Sequence, residues 1–184
     1  QEEIDRILER LQARCARMLA WQIDVRDQTA ALDKEVQDAR LSKNEEAMRK
    51  ADQKAIDLAT SQAEAKMSEQ KIIDEADRAL ALLNNDGTAV AFAEMFTMVR
   101  QDMGRVQKRL NETDTGKVTV AIEDDIIGHL KDMVDALKKQ REANKNKQNQ
   151  PPPPPGKPKP PGEDPLVDII AQLKLLRSMQ DGVN

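Results

Sequence analysis

Apolar residues recur along the first 83 positions at alternating spacings of four and three. Ile4, Leu8, Leu11, Cys15, Met18, Gln22, Val25, Thr29, Leu32, Val36 and Ala39 keep a strict heptad. Such a repeat lines one face of a long helix with the groups it must bury. The repeat loses phase after Ala39. It resumes through Met48, Ala51, Ala55, Leu58, Gln62, Ala65, Glu69, Ile72, Ala76, Ala79 and Leu83. The pattern predicts two long helices, over about residues 2–41 and 45–84. Glu2, Glu3 and Asp5 fall in the first turn, where the helix dipole favours negative charge. Ser42 followed by Glu45 reads as a capping box at the phase break. Asn84-Asn85-Asp86-Gly87 is a stop signal.

Shorter patterns follow. Phe92, Met95, Phe96, Val99, Met103, Val106 and Leu110 predict a third helix over 88–111. Thr113-Asp114-Thr115-Gly116 reads as a turn, and Val118-Thr119-Val120 as loop or as the start of the next helix. Ile126, Ile127, Leu130, Met133, Val134 and Leu137 predict a fourth helix over 122–144. All nine prolines then fall between Pro151 and Pro165. That stretch reads as an extended polyproline spacer. Asp164-Pro165 opens a last amphipathic helix, lined by Leu166, Ile169, Ile170, Leu173, Leu176 and Met179.

These elements assemble into an all-α chain. Residues 1–147 form the helical domain, 148–164 the proline-rich linker and 165–184 a C-terminal docking helix. Two helices of about 40 residues, roughly 60 Å each, fold as a long antiparallel hairpin about residue 43. Residues 1–24 then lie against 62–85, and the two shorter helices complete a four-helix-bundle head. A two-helix coiled-coil arm, about 25–61, projects beyond it. The arm's second helix offers mostly Ala47, Ala51, Ala55, Ala59 and Ala65, which suit a thin contact. The competing arrangement is one continuous helix of about 80 residues that pairs with another chain. The C-terminal helix is too short to stand alone. It is expected to dock on the third and fourth helices, or on a neighbouring chain.

Composition agrees with a slender bundle. Charged residues make up 34% of the chain and aromatics 2%, too few to fill a thick core. The net charge of -4 argues against nucleic acid as a general partner. No run approaches the ~18–20 apolar residues that span a bilayer. The chain opens on Gln1, so a processed chain or a piece of a longer one is expected. The single Cys15 sits at a core position and reads as a small buried hydrophobe.

Candidate chemistry is sparse, with no cofactor or phosphate-loop motif and one histidine. Asp125, His129 and Asp132 share a helix face at metal-ligand spacing but match no specific signature, so a charged surface face is the preferred reading. No enzyme activity is expected. Lys138, Lys139, Arg141, Lys145 and Lys147 form a basic run that could contact an anionic membrane surface or nucleic acid. The plainer reading, a positively charged helix C-terminus, is preferred. Trp21, beside the heptad, is either core or a partner-binding anchor, as are the apolar residues of the last helix. A protein partner, or self-association through heptad surfaces, is therefore the expected mode of action.

The stretch Thr113-Asp-Thr-Gly-Lys-Val-Thr-Val-Ala-Ile-Glu-Asp-Asp-Ile-Ile-Gly-His-Leu-Lys-Asp-Met, the proline tract, and Pro165-Leu-Val-Asp-Ile-Ile-Ala-Gln-Leu-Lys-Leu-Leu-Arg-Ser-Met-Gln-Asp-Gly-Val-Asn together resemble a group of exported coiled-coil proteins from planctomycete bacteria. The resemblance covers about residues 111–184, and the long helices only by type. It implies a bacterial source and a periplasmic or envelope location. Some members are encoded near proton-driven biopolymer-transport motor genes. It brings no catalytic residues.

Overall fold

A computed structural model describes residues 2–64, 69–86 and 90–148 of the chain. The described residues form five helices and no strand: α1 (Glu2–Ser42), α2 (Glu45–Glu64), α3 (Glu69–Asp86), α4 (Val90–Asn111) and α5 (Lys117–Gln148). The second long helix of the sequence reading is described as α2 and α3, and residues 65–68 lie outside the described residues. The proline tract and the C-terminal residues Leu166, Ile169, Ile170, Leu173 and Leu176 also lie outside them.

The helices pack as a bundle around α1. Its heptad stripe is buried at Leu8, Leu11, Cys15, Met18, Val25, Leu32 and Ala39 by other helices of the same chain. Polar contacts fix the directions. Gln22 meets Glu69, and Arg14 and Arg17 meet Glu75, so α3 runs antiparallel to α1. Asp5 meets Asn144, Gln12 meets Arg141, and Arg26 meets Asp124, so α5 is antiparallel to α1 along nearly its whole length. Gln70 meets Gln107 and Asp77 meets Arg100, which sets α4 antiparallel to α3. The second stripe closes the core with Ile72, Ala76, Ala79 and Leu83, joined by Phe92, Phe96, Met103, Val106, Leu130 and Met133.

α5 is longer than its apolar pattern suggests. It begins at Lys117 rather than near 122, with Val118, Thr119 and Val120 in its first turns. Its early contacts reach Arg26 and Thr29 of α1. The α4–α5 turn, Glu112 to Gly116, borders a cleft with Asp33, Val36, Asp52 and Ala55. Residues 25–36, which the sequence reading places in a bare arm, are therefore partly covered. The reason is length, since 32 residues of α5 extend roughly 48 Å.

The turn at the phase break is built differently from the expected capping box. Asn44 is the cap of α2: its Oδ1 accepts from the amides of Glu46 and Ala47 at 3.0 and 3.2 Å. Ser42 instead closes α1. Its hydroxyl donates to the Ala39 carbonyl at 2.9 Å and accepts from the Asn44 amide at 3.4 Å. Lys43 between them takes a left-handed φ of 51°.

α4 ends in a Schellman motif. The Thr113 amide donates to Leu110 O at 3.0 Å, and the Asp114 amide to Arg109 O at 2.8 Å. Its left-handed residue is Thr113, at φ 58°, where glycine is usual and a β-branched side chain is strained. Neighbouring bonds hold it there. Arg109 reaches Asp114 at 2.7 Å and the Thr119 hydroxyl at 2.8 Å, and that hydroxyl donates to Asp114 O at 2.7 Å. Thr113 itself is exposed. Thr113→Gly should therefore raise unfolding stability by about 0.5–1.5 kcal/mol, strain relief exceeding the entropy that glycine adds to the unfolded chain. A denaturant midpoint that moves down instead would show that the threonine side chain holds the turn.

Candidate functional sites

Four polar residues interrupt the apolar core midway along α1. Gln22 and Thr29 occupy heptad positions two turns apart, and both are fully buried. Glu69 of α3 and Glu123 of α5 are equally buried. Gln22 Nε2 donates to Glu69 Oε2 at 3.0 Å. The Thr29 hydroxyl lies 2.9 Å from Glu123 Oε1 and 3.0 Å from the Val25 carbonyl. One hydroxyl hydrogen cannot serve both acceptors. A protonated Glu123 resolves the conflict by donating to Thr29, which then donates to Val25. Gln22 Oε1 and Glu123 Oε2 are buried acceptors without a hydrogen-bond partner among the described residues.

Burial decides the ionisation of both carboxyls. Desolvation pushes Glu69 up to about 8, with the Gln22 hydrogen bond opposing and Glu123 reinforcing. Desolvation pushes Glu123 up to about 7, opposed by Thr29 and Arg26 and reinforced by Asp124. Near neutral pH this layer holds protons that free glutamates would have lost. Among the described residues no three His, Cys, Asp or Glu side chains gather as a metal site. Asp125 is exposed, and His129 and Asp132 are half-buried on the same helix.

Trp21 is half-buried against the core, and Lys71 Nζ lies 4.3 Å from its ring centre. Cys15 is fully buried, and burial pushes its thiol up to about 12, so it packs as a hydrophobe. The basic run is divided. Lys138, Lys139 and Lys145 are exposed, and the Lys147 side chain lies outside what is described. Arg141 is tied to α1, donating to Gln12 at 2.6 Å and to Glu9 at 3.1 Å. It serves helix packing as well as charge.

A third polar feature lies where α1 meets α3. Glu75 keeps only 5% of its side chain exposed and gathers three arginines. Arg14 and Arg17 reach its Oε1 at 2.7 and 2.9 Å, and Arg78 its Oε2 at 3.3 Å. The sequence reading did not single out this cluster, or Glu123. Glu75 lies off the heptad stripe, and acids near the start of α5 look like ordinary helix-start residues. Glu69, by contrast, stands in the heptad register.

The far end of the α1–α2 pair has a different character. Leu41 is 81% exposed and Met48 38%. Met48 belongs to the predicted stripe, but among the described residues no third helix covers it at this end. Between the helices an open groove of about 630 Å³ is floored by Ala39, Ala47 and Ala51 and rimmed by Glu35, Asp38, Lys50 and Lys54. Lys54 and Glu35 form an ion pair across the two helices.

No protein-family model, curated protein or solved structure matches the chain.

The buried layer gives a stability profile of unusual sign. Carboxyls raised in the folded state bind more protons there than in the unfolded chain. Their contribution is complete below the unfolded value of about 4.5 and is lost as pH rises through about 7 and 8. Asp77, lowered by Arg100 from its ordinary 3.8, acts oppositely and only in acid. Stability should thus fall between pH 5 and 8.5, by up to ~1.4 kcal/mol per pH unit for each carboxyl that ionises. Thermal melts across this range would show it, and Glu123→Gln should flatten the slope. A profile that is flat in the parent chain would mean that the layer is solvated.

Proposed function

We propose that this chain is a non-enzymatic structural or protein-interaction module, a scaffold or adaptor that works through its helical surfaces. In this reading the long antiparallel helix pair forms a hairpin with a coiled-coil end beyond the bundle. The proline-rich linker tethers the C-terminal residues 165–184 as a docking helix. The observation that carries the reading is the exposed end of the α1–α2 pair. Leu41 and Met48 stand in solvent there, beside an alanine-floored groove with a charged rim. An apolar centre with a polar rim is the anatomy of a protein contact. The groove is open, and of its charged rim residues Lys50 pairs with Glu46 at i, i+4 and Lys54 with Glu35 across the two helices, ordinary pairs of a helix surface. That favours binding a macromolecule over chemistry on a small one.

A periplasmic or envelope setting, and a bacterial source, rest on the sequence resemblance over 111–184. A second reading, a holdase that clasps unfolded clients, is favoured by the same exposed leucine. It differs in demanding little sequence preference from its clients. An adaptor for anionic membranes is favoured less, because Arg141 is committed to α1.

Photo-crosslinking residues placed at positions 41 and 48 should trap one discrete protein partner in the source cell. The same residue at exposed Asp135 on α5 should not. A broad smear of unfolded clients from 41 and 48 would favour the holdase, and equal yields at all three positions would overturn the reading.

A further inference from the structure

Around Glu75 the α1–α3 seam gathers more positive charge than that one buried carboxylate can use. Glu75 is a single negative charge, and Arg14, Arg17 and Arg78 bring three positive ones to it. Two of these already share Oε1 at 2.7 and 2.9 Å, and together they suffice to hold a buried carboxylate. The third stands off at 3.3 Å on Oε2. Drawing three like charges together costs electrostatic energy that Glu75 only partly offsets. Yet the chain as a whole is acidic, at -4, so the gathering is not a by-product of a basic composition.

Position adds to charge. Arg10 lies one turn before Arg14 on α1, and Lys71 one turn before Glu75 on α3. Lys71 spans the same seam to reach the Trp21 ring. Asp74, on the outer side of α3, accepts from Gln70 Nε2 at 2.7 Å. Each guanidinium has five N–H donors, and the ion pairs with Glu75 engage one nitrogen on each. Arg17 and Arg78 are 50% and 67% exposed, so their outward edges face water. Glu75, at 5%, anchors the three heads from beneath and fixes their spacing before any ligand arrives. That is preorganisation, which lowers the entropic cost of binding.

We propose that this seam is a binding site for a phosphate dianion, free or as the head of a phosphomonoester. After Glu75 is counted, the three arginines leave two unbalanced positive charges, which one dianion neutralises. Planar guanidinium edges match phosphate oxygens better than point charges do. Trp21, the only tryptophan, borders the site through Lys71 and reports on it.

The test titrates inorganic phosphate into the full chain near pH 7.5, where phosphate is mostly dianionic. Ionic strength is held constant with sodium chloride, while Trp21 fluorescence and the melting temperature are followed. A saturable fluorescence change below about 10 mM, with a rise in melting temperature, is expected. Arg17→Gln with Arg78→Gln leaves the Arg14–Glu75 pair in place and should weaken binding at least about tenfold, a loss of ~1.4 kcal/mol. Lys138→Gln with Lys139→Gln removes the same charge from α5 and should change little. Phosphatidic-acid vesicles form a parallel arm. Vesicle binding together with phosphate binding, both lost in the arginine variant, extends the site to a lipid phosphomonoester. Phosphate binding alone assigns it to soluble ligands. Absence of saturable phosphate binding to the parent chain overturns the proposal, whether or not vesicles bind. So does an equal loss in the lysine variant.

Discussion

The stripe on α1 has to be covered from more than one side at once, and everything else in the bundle follows from how that is done. Its central positions are apolar for most of their length, but an apolar stripe alone does not choose a partner or a register. The choice lies in the polar groups in and beside it. Gln22 donates to Glu69 of α3, and Thr29, which also bonds the Val25 carbonyl of its own helix, meets Glu123 of α5. A slip of one turn by α3 would part Gln22 from Glu69, and one by α5 would part Glu123 from Thr29, at a cost of about 1–3 kcal/mol for each polar group left buried without its partner. Polar groups at core heptad positions commonly give up stability to fix register. Here two such pairs fix two different neighbours. Protonation keeps them tolerable, because a neutral carboxyl costs far less to bury than a charged one.

The flanks of the stripe sort the neighbours. Arg14, Arg17 and Trp21 lie on the α3 side and find Glu75 and Lys71. Asp5, Gln12 and Arg26 lie on the α5 side and find Asn144, Arg141 and Asp124. Exchanging α3 and α5 would set Arg141 against arginines and Glu75 against acids or amides. The ion pairs that face water are each worth about 0–1 kcal/mol, so their role is discrimination more than strength. Towards the α1–α2 end the buried polar pairs run out, and the cross-helix ion pair there is the exposed Glu35–Lys54. Ala39, Ala51 and Ala55 bury little surface, and Leu41 and Met48 remain in solvent. A segment with few buried contacts opens locally before the rest unfolds, which suits a surface that meets partners.

The heptads of α1 and α3 were legible because burial follows periodicity, and nearly every described position in the two lists is buried. Gln22, Thr29 and Glu69 could be placed in the core by register alone, against their polarity. Glu123 could not, because an acid near the start of a helix is expected there on electrostatic grounds. Ser42 and Asn44 are both good capping residues two positions apart. Which one caps α2 depends on the left-handed turn at Lys43, and no pattern of apolar residues reports that. The start of α5 was obscured by three consecutive residues of high strand propensity, Val118, Thr119 and Val120, which tertiary packing overrides. Cross-helix clusters such as Glu75 with its arginines depend on which flanks face each other. That is fixed only after the helices have packed.

Native-state hydrogen exchange is the most direct test of α1 as the organising helix. Amides of α1 between Leu8 and Leu32 should exchange only through global unfolding, together with those of α3 and α5 that carry Glu69 and Glu123. Amides of α2 from Met48 to Ile56 should exchange by local opening at substantially lower free energy. Equal protection in α2, or faster exchange in α1 than in α4, would contradict the account.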